Sequence, residues 1–199
     1  MRIRVANVAA VLAAVLTSGT AALAQAPAPR ETATATIDGK KVSVEYGRPS
    51  LKGRTFDVLV KDLPADRIWR AGSEQVTTLT TEGDITIGGK KIAAGKYSLY
   101  VHAPENGDYS LAINSDLGVP LAKIWAQAPP NLAKEPWPYL QDYQKNIGAK
   151  EVARATMTKQ TAAAPAEMFT IKLAPAPSGA TLTMSWGDKS WALDVKPAK

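Results

Sequence analysis

Apolar and polar residues alternate at every second position in this chain, in short runs cut by turn residues, and that pattern most limits what it can fold into. A period of two sends successive side chains to opposite faces of a strand, so one face is buried and the other stays wet. Lys41-Val42-Ser43-Val44-Glu45-Tyr46 places Val42, Val44 and Tyr46 on one face. Asp84-Ile85-Thr86-Ile87 meets Gly88-Gly89 and returns as Lys90-Lys91-Ile92, a hairpin whose glycines accept the positive φ of a tight turn. Further strands are expected over 75–81, 97–101, 109–114, 152–158, 168–173, 180–186 and 190–195, with turns at 104–108 and at Gly187-Asp188. No stretch keeps helical periodicity for three turns, and Leu140 to Ile147 is the one place for a short helix. The Ala/Pro-rich pieces 161–166 and 174–178 read as loops inside one domain. About nine or ten short strands with tight turns predict an all-β fold. The expected architecture is a single antiparallel β-sandwich over 37–199, with a jelly-roll as one available topology.

The N-terminus carries a different signal. Met1-Arg2-Ile3-Arg4 is a short basic start, an apolar run from Val8 to Leu16 follows, and Ala22-Leu23-Ala24 precedes Gln25. This is the layout of a secretory leader with small residues at the cleavage site. The run is too short and too interrupted for a bilayer span, which takes roughly 20 apolar residues. The expectation is a leader over 1–24, cleaved near Ala24, and a periplasmic or extracellular protein. Segment 25–36, built of Gln, Ala, Pro, Arg, Glu and Thr, reads as a disordered lead-in.

The chain has no cysteine. Disulfides, thiolate metal sites and N-terminal lipid attachment through cysteine are therefore excluded, and an apolar core has to hold the fold. The net charge is +6, but Arg2 and Arg4 leave with the leader and the remaining lysines are scattered. A nucleic-acid binder shows a basic stripe with interleaved aromatics, and none is present. No apolar run in the rest of the chain is long enough to span a membrane.

Two polar clusters stand out. Glu45-Tyr46-Gly47-Arg48-Pro49-Ser50-Leu51-Lys52-Gly53-Arg54 leaves a strand and enters a Gly/Pro loop; Ile68-Trp69-Arg70-Ala71-Gly72-Ser73-Glu74-Gln75 precedes another strand. Arg48, Arg54 and Arg70 can fork onto a carboxylate or phosphate, Trp69 can stack on a flat ligand face, and Glu74 supplies a carboxylate. The competing reading is that Arg70 or Arg48 pairs with Glu45 or Glu74 and pins the loops to the sandwich. A third motif runs Ile85-Thr86-Ile87-Gly88-Gly89-Lys90-Lys91-Ile92, then Ala94-Gly95-Lys96-Tyr97-Ser98-Leu99. In these three ordered motifs the chain resembles the secreted bacterial family catalogued as domain of unknown function 2911, over roughly 36–195. The resemblance implies an extracytoplasmic β-rich domain and brings no established activity or catalytic residue.

Other chemistry has little support. His102 is the only histidine, which excludes paired-histidine metal sites. Ser73 lacks the second glycine of a nucleophile elbow. Gly95-Lys96 fails phosphate-loop spacing, and Asn114-Ser115-Asp116 with Asp108 lacks the regular ligand spacing of a Ca²⁺ loop. Trp125, Trp137, Tyr139 and Tyr143, set among prolines, suit either a groove lining or a lid over an open sheet edge. No cofactor is expected. The preferred reading is a non-catalytic binding or interaction module of the cell envelope, whose partner is an envelope component or a protein. The alternatives are an envelope hydrolase, using Glu45 and Glu74 as a carboxylate pair or a base beside Ser73 or Ser50, and a self-associating structural protein. Ligand and oligomeric state are not legible in the sequence.

Overall fold

The computed structural model describes residues 28–138 and 142–199; the expected leader and Tyr139 lie outside the described residues. Two antiparallel sheets face each other. The first follows the order β1 (Arg30–Ile37), β2 (Lys40–Gly47), β4 (Thr78–Thr81), β7 (Gly95–His102), β8 (Ser110–Asn114) and β11 (Glu151–Thr156), with β3 (Ile68–Trp69) also paired to β7. The second runs β12 (Thr158–Ala176), β13 (Gly179–Pro197), β5 (Ile85–Ile87) and β6 (Lys90–Ile92). A small ribbon pairs β9 (Val119–Pro120) with β10 (Pro136–Trp137). The predicted all-β sandwich and its glycine hairpin at 88–89 are both present.

Parity explains the core. Val42, Val44 and Tyr46 point inward from β2, as Ile85, Ile87 and Ile92 do from the hairpin. On β13, Ala180, Leu182, Met184 and Trp186 are buried, and then the phase changes to Trp191, Leu193 and Val195. Gly187, at φ +60, absorbs that change. Gly187-Asp188 is therefore a kink within one continuous strand rather than the expected turn. The Ala/Pro-rich pieces are largely strand, with only 177–178 left as the turn into β13. Segment 161–166 bulges out of β12, where the pairing shifts between Thr161↔Lys189 and Ala166↔Gly187, and Pro175 and Ala176 pair with Ala180 and Gly179. The bulge suits Pro165, which has no N–H to offer the ladder.

Two further corrections concern the N-terminal segment and the helices. The expected disordered lead-in holds β1, paired with β2 from Arg30↔Gly47 to Ile37↔Lys40. Its Ala33 and Ala35 pack against the core, so a weakly apolar Thr-Ala alternation is enough once a neighbouring strand supplies the ladder. The expected helix near Leu140–Ile147 is α2 (Tyr143–Asn146), but a second, α1 (Phe56–Lys61), is also present. Thr55 caps α1 by accepting from the Val58 N–H. At six residues α1 is too short to show periodicity.

The central strands are buried on both faces. Leu99 and Val101 look toward the second sheet, while Tyr100 and Ala112 meet Tyr143 and Ile147 on the other side. Asn114 ties that outer layer down by donating to the Tyr143 hydroxyl (3.1 Å) and the Ile147 carbonyl (2.8 Å). Among the described residues no helix is long and apolar enough to cross a membrane.

One end of the sandwich is filled by rings. Phe56, 1% exposed, lies 5.2 Å from Trp191, 6.1 Å from Trp186 and 6.3 Å from Trp69 between ring centroids. Phe56→Ala is expected to cost about 3–5 kcal/mol in urea unfolding, the range for emptying a large aromatic site. A loss below about 1 kcal/mol would mean the rings do not depend on Phe56 for their packing.

Candidate functional site

The two polar loops of the sequence cross at a pair of glycines. β2 ends at Gly47, where an added Cβ would collide with the Ser73 carbonyl oxygen and sit 2.7 Å from Ser73 Oγ. At Gly72 a Cβ would sit 2.7 Å from Thr77 Oγ1 and 3.1 Å from the Gly47 carbonyl oxygen. Only residues without side chains let the backbones approach this closely. The 70–75 loop turns tightly, with Ala71 and Glu74 at φ 50 and 59, and Thr77 Oγ1 holds the turn by donating to the Ala71 carbonyl at 2.8 Å. Left-handed backbone at a non-glycine residue costs about 1–2 kcal/mol, so the surrounding contacts impose this shape.

Beyond the crossing, the first loop is stitched to β12. The Leu51 N–H donates to the Glu167 carbonyl (3.0 Å) and the Phe169 N–H to the Pro49 carbonyl (2.9 Å). Glu167 returns the contact, accepting from Ser50 Oγ at 2.6 Å and from the Lys52 N–H at 2.9 Å. The Ser50 hydroxyl, followed by the Lys52 N–H, holds the Glu167 carboxyl below the usual glutamate range.

Between these loops lies a cleft of about 490 Å³. Arg48, Arg54, Arg70 and Glu74, four of the five residues singled out from the sequence, line it together with Lys52 and Ser73. Their surroundings differ sharply. Arg48 is a strut: its Nη1 pairs with Glu31 at 3.0 Å, Nε donates to the Phe169 carbonyl at 3.2 Å and Nη2 to Thr170 Oγ1 at 3.1 Å. Glu31 also accepts from the Tyr46 hydroxyl at 2.9 Å, and burial pushes that phenol up to about 12. Arg54, on the exposed rim, donates Nε to the Leu51 carbonyl at 3.0 Å. Arg70 is the exception. Among the described residues its guanidinium makes no hydrogen bond and no ion pair, and burial pulls it below the usual arginine range against the opposing pull of Glu74. Glu74 Oε1 accepts from the Ala28 N–H at 2.8 Å, which draws the start of the described chain into the cleft wall.

The fifth residue, Trp69, is a core residue rather than a cleft residue. It stacks on Trp186 at 5.4 Å and 21° and meets Phe169 edge-on at 4.9 Å. β3 sends Ile68 to the outer layer and Trp69 between the sheets, so the ring is committed to packing. The expected pinning pairs also differ: Glu31, not Glu45 or Glu74, holds Arg48, while Glu45 takes Arg30 at 3.0 Å. Glu45 is absent from the cleft lining, so Glu45 and Glu74 do not face one another across it. His102, at the end of β7, is also outside the lining; burial, then Arg154, holds its imidazole below the usual range.

The aromatic, proline-rich stretch does not act as one unit. Trp125 is exposed, Tyr143 packs on Tyr100, and Trp137 lines the cleft. β10 brings Trp137 there, since the Val76 N–H donates to the Pro136 carbonyl at 3.0 Å and Gly118 allows a close pass under the Trp137 carbonyl. Trp137, one of the proline-flanked aromatics expected to line a groove or form a lid, lines the cleft, whereas Ser73, inside the second motif, and Met168, which nothing local marks, were not expected in the lining. Among the described residues no group of three or more His, Asp or Glu side chains is placed to hold a metal ion.

Two outcomes follow from this geometry. Gly47→Ala is expected to lose about 1–3 kcal/mol in chemical denaturation, because backbone rather than a flexible side-chain end blocks the new methyl. An unchanged stability would show that the loops are not in contact. Glu167, whose carboxyl titrates lower in the folded chain than in the unfolded one, contributes its loop contacts fully above the ordinary glutamate value and loses them as pH falls through the folded value. A carboxyl-resolved NMR titration should find it below the ordinary range, and Ser50→Ala should move it back up. A normal titration in the unmodified chain contradicts the Ser50 contact.

No curated protein and no solved structure matches the chain. The family described as a protein of unknown function, DUF2911, matches over residues 28–195, which takes in both crossing loops, the cleft and the two sheets. The chain belongs to that family.

Proposed function

We propose that this protein is an exported, non-catalytic binding module of the cell envelope that takes an anionic ligand into the cleft between the two loops. The observation that carries this reading is Arg70, a half-buried cation lining the cleft with no acceptor among the described residues. A cation partly withdrawn from water with no hydrogen bond to repay the loss costs stability, and a ligand that bonds it offsets that cost. Lys52 and Arg54 on the exposed rim add positive charge that draws an anion toward the mouth. Export rests on the leader-like pattern of residues 1–24.

A second reading, an envelope hydrolase, has one favourable observation. Ser50 lines the cleft and its hydroxyl bonds Glu167 at 2.6 Å, as a nucleophile bonds a base. The same contact weakens it: a general base works best with its pKa near the working pH, and Glu167 is shifted down, away from neutrality.

A thermal-shift screen of the purified protein against small anions, uncharged sugars and divalent cations separates these readings. An anion at 100 times its dissociation constant adds roughly 2.7 kcal/mol, about 5–10 °C for a chain of this size. Arg70→Met is expected to leave the ligand-free melting temperature unchanged or higher while the anion response disappears. A marked loss of ligand-free stability in Arg70→Met would make Arg70 a structural residue and overturn the binding reading. Turnover of an envelope substrate that is lost in Ser50→Ala would favour the hydrolase.

A further inference from the structure

The floor of the cleft holds two more donors without acceptors. Ser73 Oγ and Trp137 Nε1 are both closed off from water, and neither makes a hydrogen bond with any described residue. Both residues line the same cleft as Arg70. Orphaned buried N–H and O–H groups are uncommon, and each carries a desolvation cost that an acceptor removes. Two of them in one cleft lining with a guanidinium that has no ion pair among the described residues point to an acceptor that carries negative charge.

The wall of the cleft narrows the choice further. Pro49, Met168 and the Trp137 ring present apolar surface, so the ligand has an apolar body as well as a charged head. Charge and donor count favour a carboxylate over a phosphate. Arg48 is already neutralised by Glu31, Lys52 and Arg54 lie on the exposed rim, and the Glu74 carboxylate offsets part of the Arg70 charge without bonding it, which leaves no more than a single positive charge for a ligand at Arg70. A carboxylate brings a single charge and two oxygens, whereas a phosphate monoester brings about −1.5 to −2 and three. The guanidinium, the serine hydroxyl and the indole N–H together suit two oxygens.

We infer that the ligand is a monocarboxylate with an apolar body, its two oxygens shared among Arg70, Ser73 Oγ and Trp137 Nε1. This rests on the anion-binding reading above and adds the ligand class and two binding residues. Both donors must turn toward the cleft to meet the ligand, and neither has a hydrogen bond to a described residue that the turn would break.

The test follows the five tryptophan indole N–H signals in a ¹H–¹⁵N correlation spectrum of the protein. Trp137→Phe assigns the signal of interest, and the probes are hexanoate, acetate and inorganic phosphate. Hexanoate is expected to move the Trp137 signal downfield in a saturable way and to bind roughly tenfold or more tightly than acetate, since its chain covers apolar wall. Trp137→Phe and Ser73→Ala should each weaken hexanoate by about tenfold, the loss of one hydrogen bond to a charged group. Circular dichroism checks that both variants are folded. If hexanoate binds in an Arg70-dependent way while the Trp137 signal stays still, the assigned donors are wrong and the anion-binding reading survives. Phosphate binding more tightly than hexanoate overturns the carboxylate class. If no anion binds at all, both readings fall together.

Discussion

The close pass of backbone at Gly47 over Ser73 is the constraint on which the cleft depends. A strand end from the first sheet and a tight left-handed turn meet with no side chain between them. That contact brings together the loops that carry Arg48 and Arg70, and Glu74 ties the second loop to the start of the described chain through the Ala28 N–H. The bridge from 49–51 to 167–169 then fastens the same corner to the second sheet. Aromatic packing lies directly behind: Phe169, whose N–H holds Pro49, is also the ring against which Trp69 leans. The cleft is therefore built on rigid, packed elements, which a binding site needs if its donors are to stay in place.

Within this frame the arginines divide by what surrounds them. Arg48 spends all three guanidinium nitrogens on the protein and joins β1 to β12. Arg70 spends none. Evolution for stability alone would replace such a residue with an apolar one of similar volume, as buried ionic groups often can be. A guanidinium, a hydroxyl and an indole N–H that have no hydrogen-bond partner among the described residues line one cleft and form a coherent set of donors. They account for one another if an anion fills the space between them.

The β-sandwich was legible wherever parity was strong. Val42, Val44 and Tyr46, the Ile85–Ile92 hairpin and the even-numbered apolar residues of 180–186 announced their faces from sequence alone. β1 was hidden because threonine and alanine alternate there with little difference in hydropathy, and its ladder comes wholly from β2. The kink at Gly187 was hidden because a glycine-aspartate pair marks a turn and a bulge equally well. At the site, both crossing loops were visible as clusters of Arg, Gly and Glu. What separated Trp69 from Arg70 was the facing of a two-residue strand, which no local pattern reveals. Trp137 was placed by a long-range backbone bond to Val76, and such bonds leave no trace in a single sequence.

The most direct measurement is an electron-density map of the protein crystallised without carboxylates or sulfate, then soaked in hexanoate. Before the soak the Arg70 guanidinium is expected to be free of protein carboxylates. After it, a carboxylate should lie within hydrogen-bond distance of Arg70 and Trp137 Nε1, with its chain along Pro49 and Met168. An Arg70 ion-paired with Glu74 across a closed cleft, with no hexanoate bound, would contradict it.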